Sequence, residues 1–405
     1  MRIAIASNGP GELSGWVRPL AAALQRADPR GELALFFVPD DFATGREPEV
    51  ARALFPRATI VPCGDYVRFA LGRRPPGVPE RADLVLYLGG DLLHAARLRA
   101  RLGARAQAYK FSRRRFERVF ERVYAVDERN RRALERAGVR NERIDVVGNL
   151  AVDGALAEAA GAFAQSPPDP RLAPGTILFM PGARKLEIAN VVPLFLAAAL
   201  ALRRHDALPI AFALSPFTRD EEIERALRVG GVATAWGARG RLVREGELRA
   251  IVADAGGPPI PVVHETMRYA PQARFAVTIP GTKCIELAAL GVPALVCVPL
   301  NAPEVAVING PLQYLDRLGG FGRALKRSVV IGLDRRFAFV TQPNIDAGEA
   351  LMPELRGTLF PGEIARRIAA YARDDAARAR ASERLRALYA DHAGAAERMA
   401  RAMLR

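Results

Sequence analysis

The chain has 405 residues, half of them apolar and a quarter charged. That balance excludes a disordered chain, and the length suits two domains better than one ordinary core. The net charge is +15, and nearly all of the positive charge is arginine, because the lysines are only Lys110, Lys185, Lys283 and Lys326. GC-rich coding alone produces such a bias, so the basic surface points to anionic lipid or a phosphorylated substrate, and no nucleic acid is expected.

In chain order, "RIAIAS" is a first strand that meets a Gly/Pro turn and is not a signal peptide. A helix "WVRPLAAALQRA" follows, then strands "ELALFFVP", "ATIVPC", "ADLVLYLG", "RAQAYKF", "RVYAVD" and "RIDVVG". The proline-dense stretch 165–175 marks a boundary. Beyond it come "TILFM", the helix through "VVPLFLAAALALRR", "IAFALS", the helix "RDEEIERALRVG", "IPVVH", "FAVTI", the helix "TKCIELAALG" and "PALVCV". Alternation of this kind predicts an α/β fold of parallel sheets covered by helices. The expected domains are 1–165 and 176–362, each Rossmann-like and facing the other across a cleft, followed by a helical tail at 363–405. No apolar run reaches the roughly 18 residues of a membrane span, and Val191 to Leu202, interrupted by Pro193, reads as a buried helix. A cytoplasmic protein is expected, at most peripheral to a membrane. Cys63, Cys284 and Cys297 are too few and too scattered for a disulfide framework or a zinc site, and no histidine has acidic or Cys neighbours at metal-ligand spacing. Neither metal nor cofactor is expected.

Two strand ends carry the chemistry. After "TILF" the chain reads "MPGARKLEI": Gly182 lets backbone N–H groups approach an anion, and Arg184 supplies a forked cation suited to phosphate. Glu187 either holds Arg184 or meets a polar ligand. The structural alternative is a solvated Arg184–Glu187 pair at a helix entrance, with Asn190 as N-cap and Pro193 in the first turn. In "FAVTIPGTKCIELAALGVP" a strand again ends in Pro-Gly, and the N–H groups of Gly281, Thr282 and Lys283 fall at the positive end of a helix, where diphosphate binds. Glu286, one turn in, suits ribose hydroxyls. The alternatives are an ordinary N-cap for Thr282 and a helix-dipole carboxylate for Glu286.

These segments, with "VVHETMRYAPQARFAVTIPGTKCIELAALGVP", "TQPNIDAGEALMPELRG", "GPGELSGW" and "VVGNLAVDGAL", resemble lipid A disaccharide synthase, an inverting glycosyltransferase of the two-Rossmann GT-B type. The resemblance spans most of the chain. It implies a UDP-2,3-diacylglucosamine-like donor, a lipid-linked or phosphorylated sugar acceptor, no metal for transfer, and a homodimer by analogy. It also implies that Arg184 and Glu187 belong to the donor site, that Gly281 and Thr282 meet the diphosphate and Glu286 the nucleoside, and that Asn344 lies at the same cleft, supported by Glu349. His264, ending "IPVVH", either approaches the nucleotide or is a satisfied histidine with no ligand.

The acceptor half departs from the family. Its first-loop aspartate is Trp16 here, and of two acids at the end of "LYLGG" only Asp91 has a counterpart. An inverting transfer needs a base beside the acceptor hydroxyl. Asp91 is the first choice, Glu12 the second and His94 the third; the alternative for Asp91 is an N-cap. Residues 110 to 126 interleave Phe111, Phe116 and Phe120 with arginines. They fit either contact with an anionic membrane or a helix whose core stripe is Phe116, Val119, Phe120 and Val123. Two functional rivals stand beside the transferase: a UDP-sugar 2-epimerase of the same fold, and a non-catalytic binder of nucleotide sugar or lipid.

Overall fold

The computed structural model describes residues 1–39, 43–111, 116–164, 167–231, 236–301 and 337–405. Its chain divides into two compact units, one of Met1–Ala157 with Tyr389–Arg405 and the other of Glu158–Leu388. The changeover thus falls ahead of the proline-dense stretch where sequence composition drew it, and the last residues of the chain group with the first unit.

Among the described residues, unit one has a seven-stranded sheet: β1 (Arg2–Ser7), β2 (Glu32–Phe37), β3 (Thr59–Val61), β4 (Leu84–Tyr87), β5 (Arg105–Tyr109), β6 (Arg122–Ala125) and β7 (Ile144–Val146). They lie in the order β3-β2-β1-β4-β5-β6-β7, and every pair is parallel. Near-continuous burial along β1 and β4 is what a sheet covered on both faces demands. The order reverses between β1 and β4, the place where α/β sheets bind ligands beyond the carboxyl ends of their strands.

Helix α1 (Arg18–Ala27) begins two residues after the start of the helix read from the sequence, because Trp16 and Val17 belong to a π-helical turn over Leu13–Val17 that precedes it. The backbone of Gly154 lies so close to the carbonyls of Ser14 and Gly15 that a Cβ there would stand 3.3 Å from each. Helix α2 (Leu92–Leu102) follows β4.

Residues 116–126, the described part of the Phe/Arg stretch after Phe111, are not the helix expected of them. Phe116 takes a left-handed conformation, a single 3-10 turn covers Glu117–Val119, and β6 begins at Arg122. Phe111 and Phe120 stack within the sheet core at 6.1 Å, so these rings pack inward and are not presented to lipid. Apolar residues three or four apart satisfied a helical stripe, but a 3-10 turn leading into the buried strand β6 places Val119, Phe120 and Val123 against the same core. The arginines at 113, 114 and 115 lie outside the described residues.

Unit two has, among its described residues, eight strands: β8 (Ile177–Met180), β9 (Ile210–Ala213), β10 (Gly240–Glu245), β11 (Leu248–Ala253), β12 (Ile260–Val263), β13 (Phe275–Thr278), β14 (Ala294–Pro299) and β15 (Glu354–Gly357). Their order is β10-β11-β12-β9-β8-β13-β14-β15. From β12 to β15 the pairs are parallel, and the order again reverses beside the first strand of the unit, between β8 and β13. The antiparallel β10–β11 hairpin, turned at Gly246 with φ +58°, extends the edge. Its "REGELR" turn is legible in the sequence, although parallel alternation alone did not call for it.

Between β8 and β9 runs α3 (Lys185–Arg203). It is long and apolar enough to cross a membrane by length and composition, yet its apolar residues are packed into the core of the unit. There Phe179 meets Phe195 edge-on at 5.5 Å and Phe212 at 5.7 Å. Starting at Lys185 makes Asn190 an interior residue whose amide donates to the Leu186 carbonyl at 2.9 Å, so it is not the N-cap. Pro193 likewise lies inside the helix and not in its first turn. Helices α4 (Thr282–Ala289), α5 (Gln342–Ala347), α6 (Pro361–Arg373) and α7 (Asp375–Tyr389) complete this part of the chain.

The C-terminal α8 (Ala395–Met403) belongs to unit one. The Asp153 carboxylate accepts from the N–H groups of Gly394 at 2.7 Å and Ala396 at 2.6 Å, and Arg26 pairs with Glu397 at 2.6 Å. A carboxylate on the first N–H groups of a helix satisfies donors that have no intrahelical acceptor.

Candidate functional site

In unit two the two Pro-Gly corners end neighbouring strands. Thr278 of β13 is in register with Met180 of β8, and the Thr278 hydroxyl donates to the Met180 carbonyl at 3.2 Å. Gly182 and Gly281 therefore leave the same edge of the sheet one strand apart, a separation of about 5 Å between strand axes. This is the topological switch point of the unit. The expectation that both corners serve one site is met to that extent: the fold brings them together.

The first corner is more tightly closed than a bare anion cradle. Gly182 has φ +101°, and a Cβ on it would stand 2.3 Å from Glu187 Oε2. That oxygen accepts from the N–H groups of Ala183 at 2.9 Å and Arg184 at 3.0 Å, while Oε1 lies 3.4 Å from Arg184 Nη1. Of the two roles open to Glu187, it performs the first: its own carboxylate takes the N–H groups at the start of α3. The Arg184 guanidinium, half exposed, remains at the mouth of the corner.

At the second corner Gly281 and Thr282 are exposed, and a Cβ on Gly281 would meet nothing within 4 Å. Gly281, in an extended conformation, is the N-cap of α4, which makes Thr282 the first helical residue and not the cap. The first N–H groups of α4 have no intrahelical acceptor and favour an anion. Glu286 is buried and accepts from Lys283 Nζ at 2.6 Å. A ribose hydroxyl reaches this carboxylate only in competition with that lysine.

Asn344 is placed differently from expectation. It lies in α5, fully buried; its Nδ2 donates to the Met352 carbonyl at 2.7 Å and to Glu354 Oε1 at 3.0 Å, and its Oδ1 accepts from the Met352 N–H at 2.8 Å. Both ends of the amide are spent on the protein, so its side chain braces α5 beside α4 and meets no ligand. Its support is Glu354 and not Glu349, which pairs with Arg384 at 2.6 Å. Glu354 also accepts from the Thr341 hydroxyl and from the N–H groups of Val340 and Thr341. Sequence reasoning passed over this carboxylate because its partners precede it by ten to fourteen positions, at no helical or strand spacing.

His264 follows β12 at the same carboxyl edge and approaches the Ser215 carbonyl through Nδ1 at 3.2 Å. A carbonyl only accepts, so Nδ1 carries the proton and Nε2 is the acceptor of the neutral ring.

In unit one, Glu12 and Asp91 follow β1 and β4, the strands at that unit's switch point. Asp91 is the N-cap of α2, its Oδ1 accepting from the Leu93 N–H at 2.8 Å, and it is exposed. The capping alternative is thus realised, and the carboxylate remains exposed to solvent. Glu12 lies with its stem toward Gly89, where a Cβ would stand 2.9 Å from Glu12 Cγ. Trp16, at the position of the family aspartate, packs edge-on against Tyr109 at 5.6 Å.

His94 is bound to Tyr66, whose hydroxyl lies 2.8 Å from Nδ1. Burial pushes the Tyr66 phenol up to about 12, so the hydroxyl keeps its proton. Burial also lowers the His94 pKa below 6.5, opposed by the Asp91 charge. Below 6.5 the unfolded chain therefore binds a proton that the folded ring resists, so this contribution to stability is present above 6.5 and lost as pH falls. Urea unfolding is expected to show a midpoint that falls between pH 7.5 and pH 5.5, with a smaller fall in His94→Gln.

Neither protein-family models nor curated sequences match the chain. Solved structures do. A Listeria monocytogenes protein described as a UDP-N-acetylglucosamine 2-epimerase is 13% identical with a TM-score of 0.58, covering 100% of this chain and 95% of its own. The UDP-GlcNAc 2-epimerase of Neisseria meningitidis, bound to UDP-GlcNAc, is 10% identical over 100% of both chains with a TM-score of 0.57. The glycotransferase of kitacinnamycin is 16% identical with a TM-score of 0.51, over 100% of this chain and 98% of that one. The chain has the two-sheet α/β GT-B fold of these proteins.

Proposed function

We propose that the chain is a metal-independent glycosyltransferase that uses a UDP-activated sugar, an N-acylated or acylated glucosamine, and passes it to a lipid-linked or phosphorylated acceptor. The observation that carries this reading is the pair of Pro-Gly corners on adjacent strands β8 and β13, one backed by Arg184 and the other by the N-terminus of α4. In the reaction the bond from the sugar carbon to the UDP oxygen breaks and UDP leaves with the electron pair. The acceptor oxygen bonds to that carbon from the opposite face, and its proton passes to a carboxylate. Arg184 and the N–H groups of Thr282 and Lys283 stabilise the charge growing on the diphosphate. Glu286, buttressed by Lys283, and His264 Nε2 face the nucleoside. Asp91, exposed at the start of α2, takes the proton, with Glu12 as the second choice. A lipid-linked acceptor would bring the protein to the inner face of a membrane.

A second reading, UDP-sugar 2-epimerisation, is favoured by epimerases among the similar structures, the two described above having TM-scores that exceed that of the transferase. Incubation with UDP-N-acetylglucosamine alone separates the two. The transferase reading expects no isomerised nucleotide sugar, and UDP release only when acceptor is added; isomerisation without acceptor would establish the rival. UDP binding without either reaction would mark a binder. Arg184→Ala is expected to weaken UDP about tenfold, the effect of about 1.4 kcal/mol, measured by calorimetry. Wild-type affinity in that variant would remove Arg184 from the site.

A further inference from the structure

Lys283 holds a positive charge where the fold does not favour one. It is the second residue of α4, at the end of the helix whose dipole repels a cation, and it stands ahead of Glu286 in the less favoured order of an i, i+3 pair. Its ammonium is fixed all the same, Nζ donating to Glu286 Oε2 at 2.6 Å. Glu286 is 4% exposed, and a buried carboxylate needs such a cation. A second carboxylate acts on the same place: burial pushes the Cys284 thiol up to about 12, and the charges of Glu354 and Glu286 add to the rise. The lysine is therefore anchored from the protein side, yet 28% of its side chain stays exposed. A helical side chain leans toward the N-terminus of its helix, which for Lys283 is the Gly281 corner. That corner is open: Gly281 and Thr282 are exposed, and a Cβ on Gly281 would meet nothing within 4 Å.

We propose that the Lys283 ammonium, held by Glu286, completes an anion site at the Gly281 corner and makes it select a nucleoside diphosphate over the bare nucleoside. An ammonium has three N–H donors, and the bond to Oε2 uses one. The first N–H groups of α4 carry partial positive charge and favour any anion; a whole charge beside them distinguishes a ligand with two phosphates from one with none. In the unliganded fold the ammonium and the helix end repel each other. A diphosphate between them turns that repulsion into attraction on both sides, and uridine does not. The two halves of the nucleotide are also coupled, because the carboxylate that anchors the ammonium is the one proposed to meet the ribose. Phosphate that draws on the ammonium weakens the competitor of a ribose hydroxyl at Oε2, and by linkage the ribose favours the phosphate equally. This role for Lys283 rests on the donor reading of unit two and adds to it the class of ligand selected.

Variants built on Glu286→Gln test it, because a neutral residue 286 leaves no buried charge behind when the lysine is replaced. Calorimetry with UDP and NMR titration with uridine compare wild type, Glu286→Gln, Lys283→Met/Glu286→Gln and Lys283→Arg/Glu286→Gln, all in the full chain. From Glu286→Gln to Lys283→Met/Glu286→Gln, UDP is expected to weaken at least about tenfold while uridine stays within about threefold. Lys283→Arg/Glu286→Gln keeps the charge and is expected to bind UDP within about threefold of Glu286→Gln. A lysine that merely buttressed Glu286 would move neither ligand once residue 286 is neutral. Equal UDP affinity in Glu286→Gln and Lys283→Met/Glu286→Gln, or a loss of uridine as large as the loss of UDP, would overturn the role of Lys283. Wild type that binds no UDP would overturn the donor reading and this role with it, whereas UDP binding by wild type with equal affinities in those two variants would overturn the role of Lys283 alone.

Discussion

Gly182→Val is expected to abolish UDP-sugar binding and to cost about 3 kcal/mol of stability, combining left-handed strain with overpacking. The φ of +101° disfavours any side chain, and the first added carbon would stand 2.3 Å from Glu187 Oε2. Something must move, and every candidate matters. If Glu187 gives way, the N–H groups of Ala183 and Arg184 lose their acceptor and the start of α3 frays. If the backbone gives way, the corner leaves the plane it shares with Gly281. Thermal unfolding reads the first loss and calorimetry with UDP the second. Glu187→Ala in the same background separates them, because it removes the clash without restoring the cap: binding regained in the double variant would show that steric overlap alone closes the corner. Wild-type affinity in Gly182→Val itself would show that the nucleotide does not use this strand end.

Glu354→Ala is expected to lower stability by about 3 to 5 kcal/mol, the largest effect of any polar substitution proposed for unit two. The carboxylate is nearly buried, and its removal orphans the N–H groups of Val340 and Thr341, the Thr341 hydroxyl and one donor of Asn344. Glu354→Gln keeps an acceptor oxygen but not the charge, and should recover part of the loss. Urea unfolding of both variants measures this. If Glu354→Ala falls within about 0.5 kcal/mol of wild type, the range of ordinary surface changes, then the network around Asn344 carries no weight. Because α5 packs beside α4, UDP binding should weaken in Glu354→Ala even though no atom of Glu354 is assigned to the ligand.

The lesson of these two residues extends to the rest of the chain. Alternation of apolar strands with helical segments was sufficient to specify two parallel α/β sheets, since period and burial are local properties that each segment carries within itself. Strand ends were legible for the same reason: Pro-Gly followed by a helix start identifies its own geometry, and both corners landed where the order of strands reverses. Choice among possible partners, near or far along the chain, was not settled by the sequence. Glu187 turned to its own backbone, Asn344 to Met352 and Glu354, Asp91 to the Leu93 N–H, and His94 to a tyrosine 28 positions away. A carboxylate or amide bonds whichever donor the fold brings within about 3 Å, and residue type alone does not say which that is. The sequence by itself determined most of the secondary elements, the parallel pairing of the strands that alternate with helices, and the two Pro-Gly strand ends. Only the tertiary structure decided which polar side chains are spent on the protein and that α8 returns to unit one, because hydrogen-bond satisfaction is a property of three-dimensional neighbours and leaves no periodic trace along the chain.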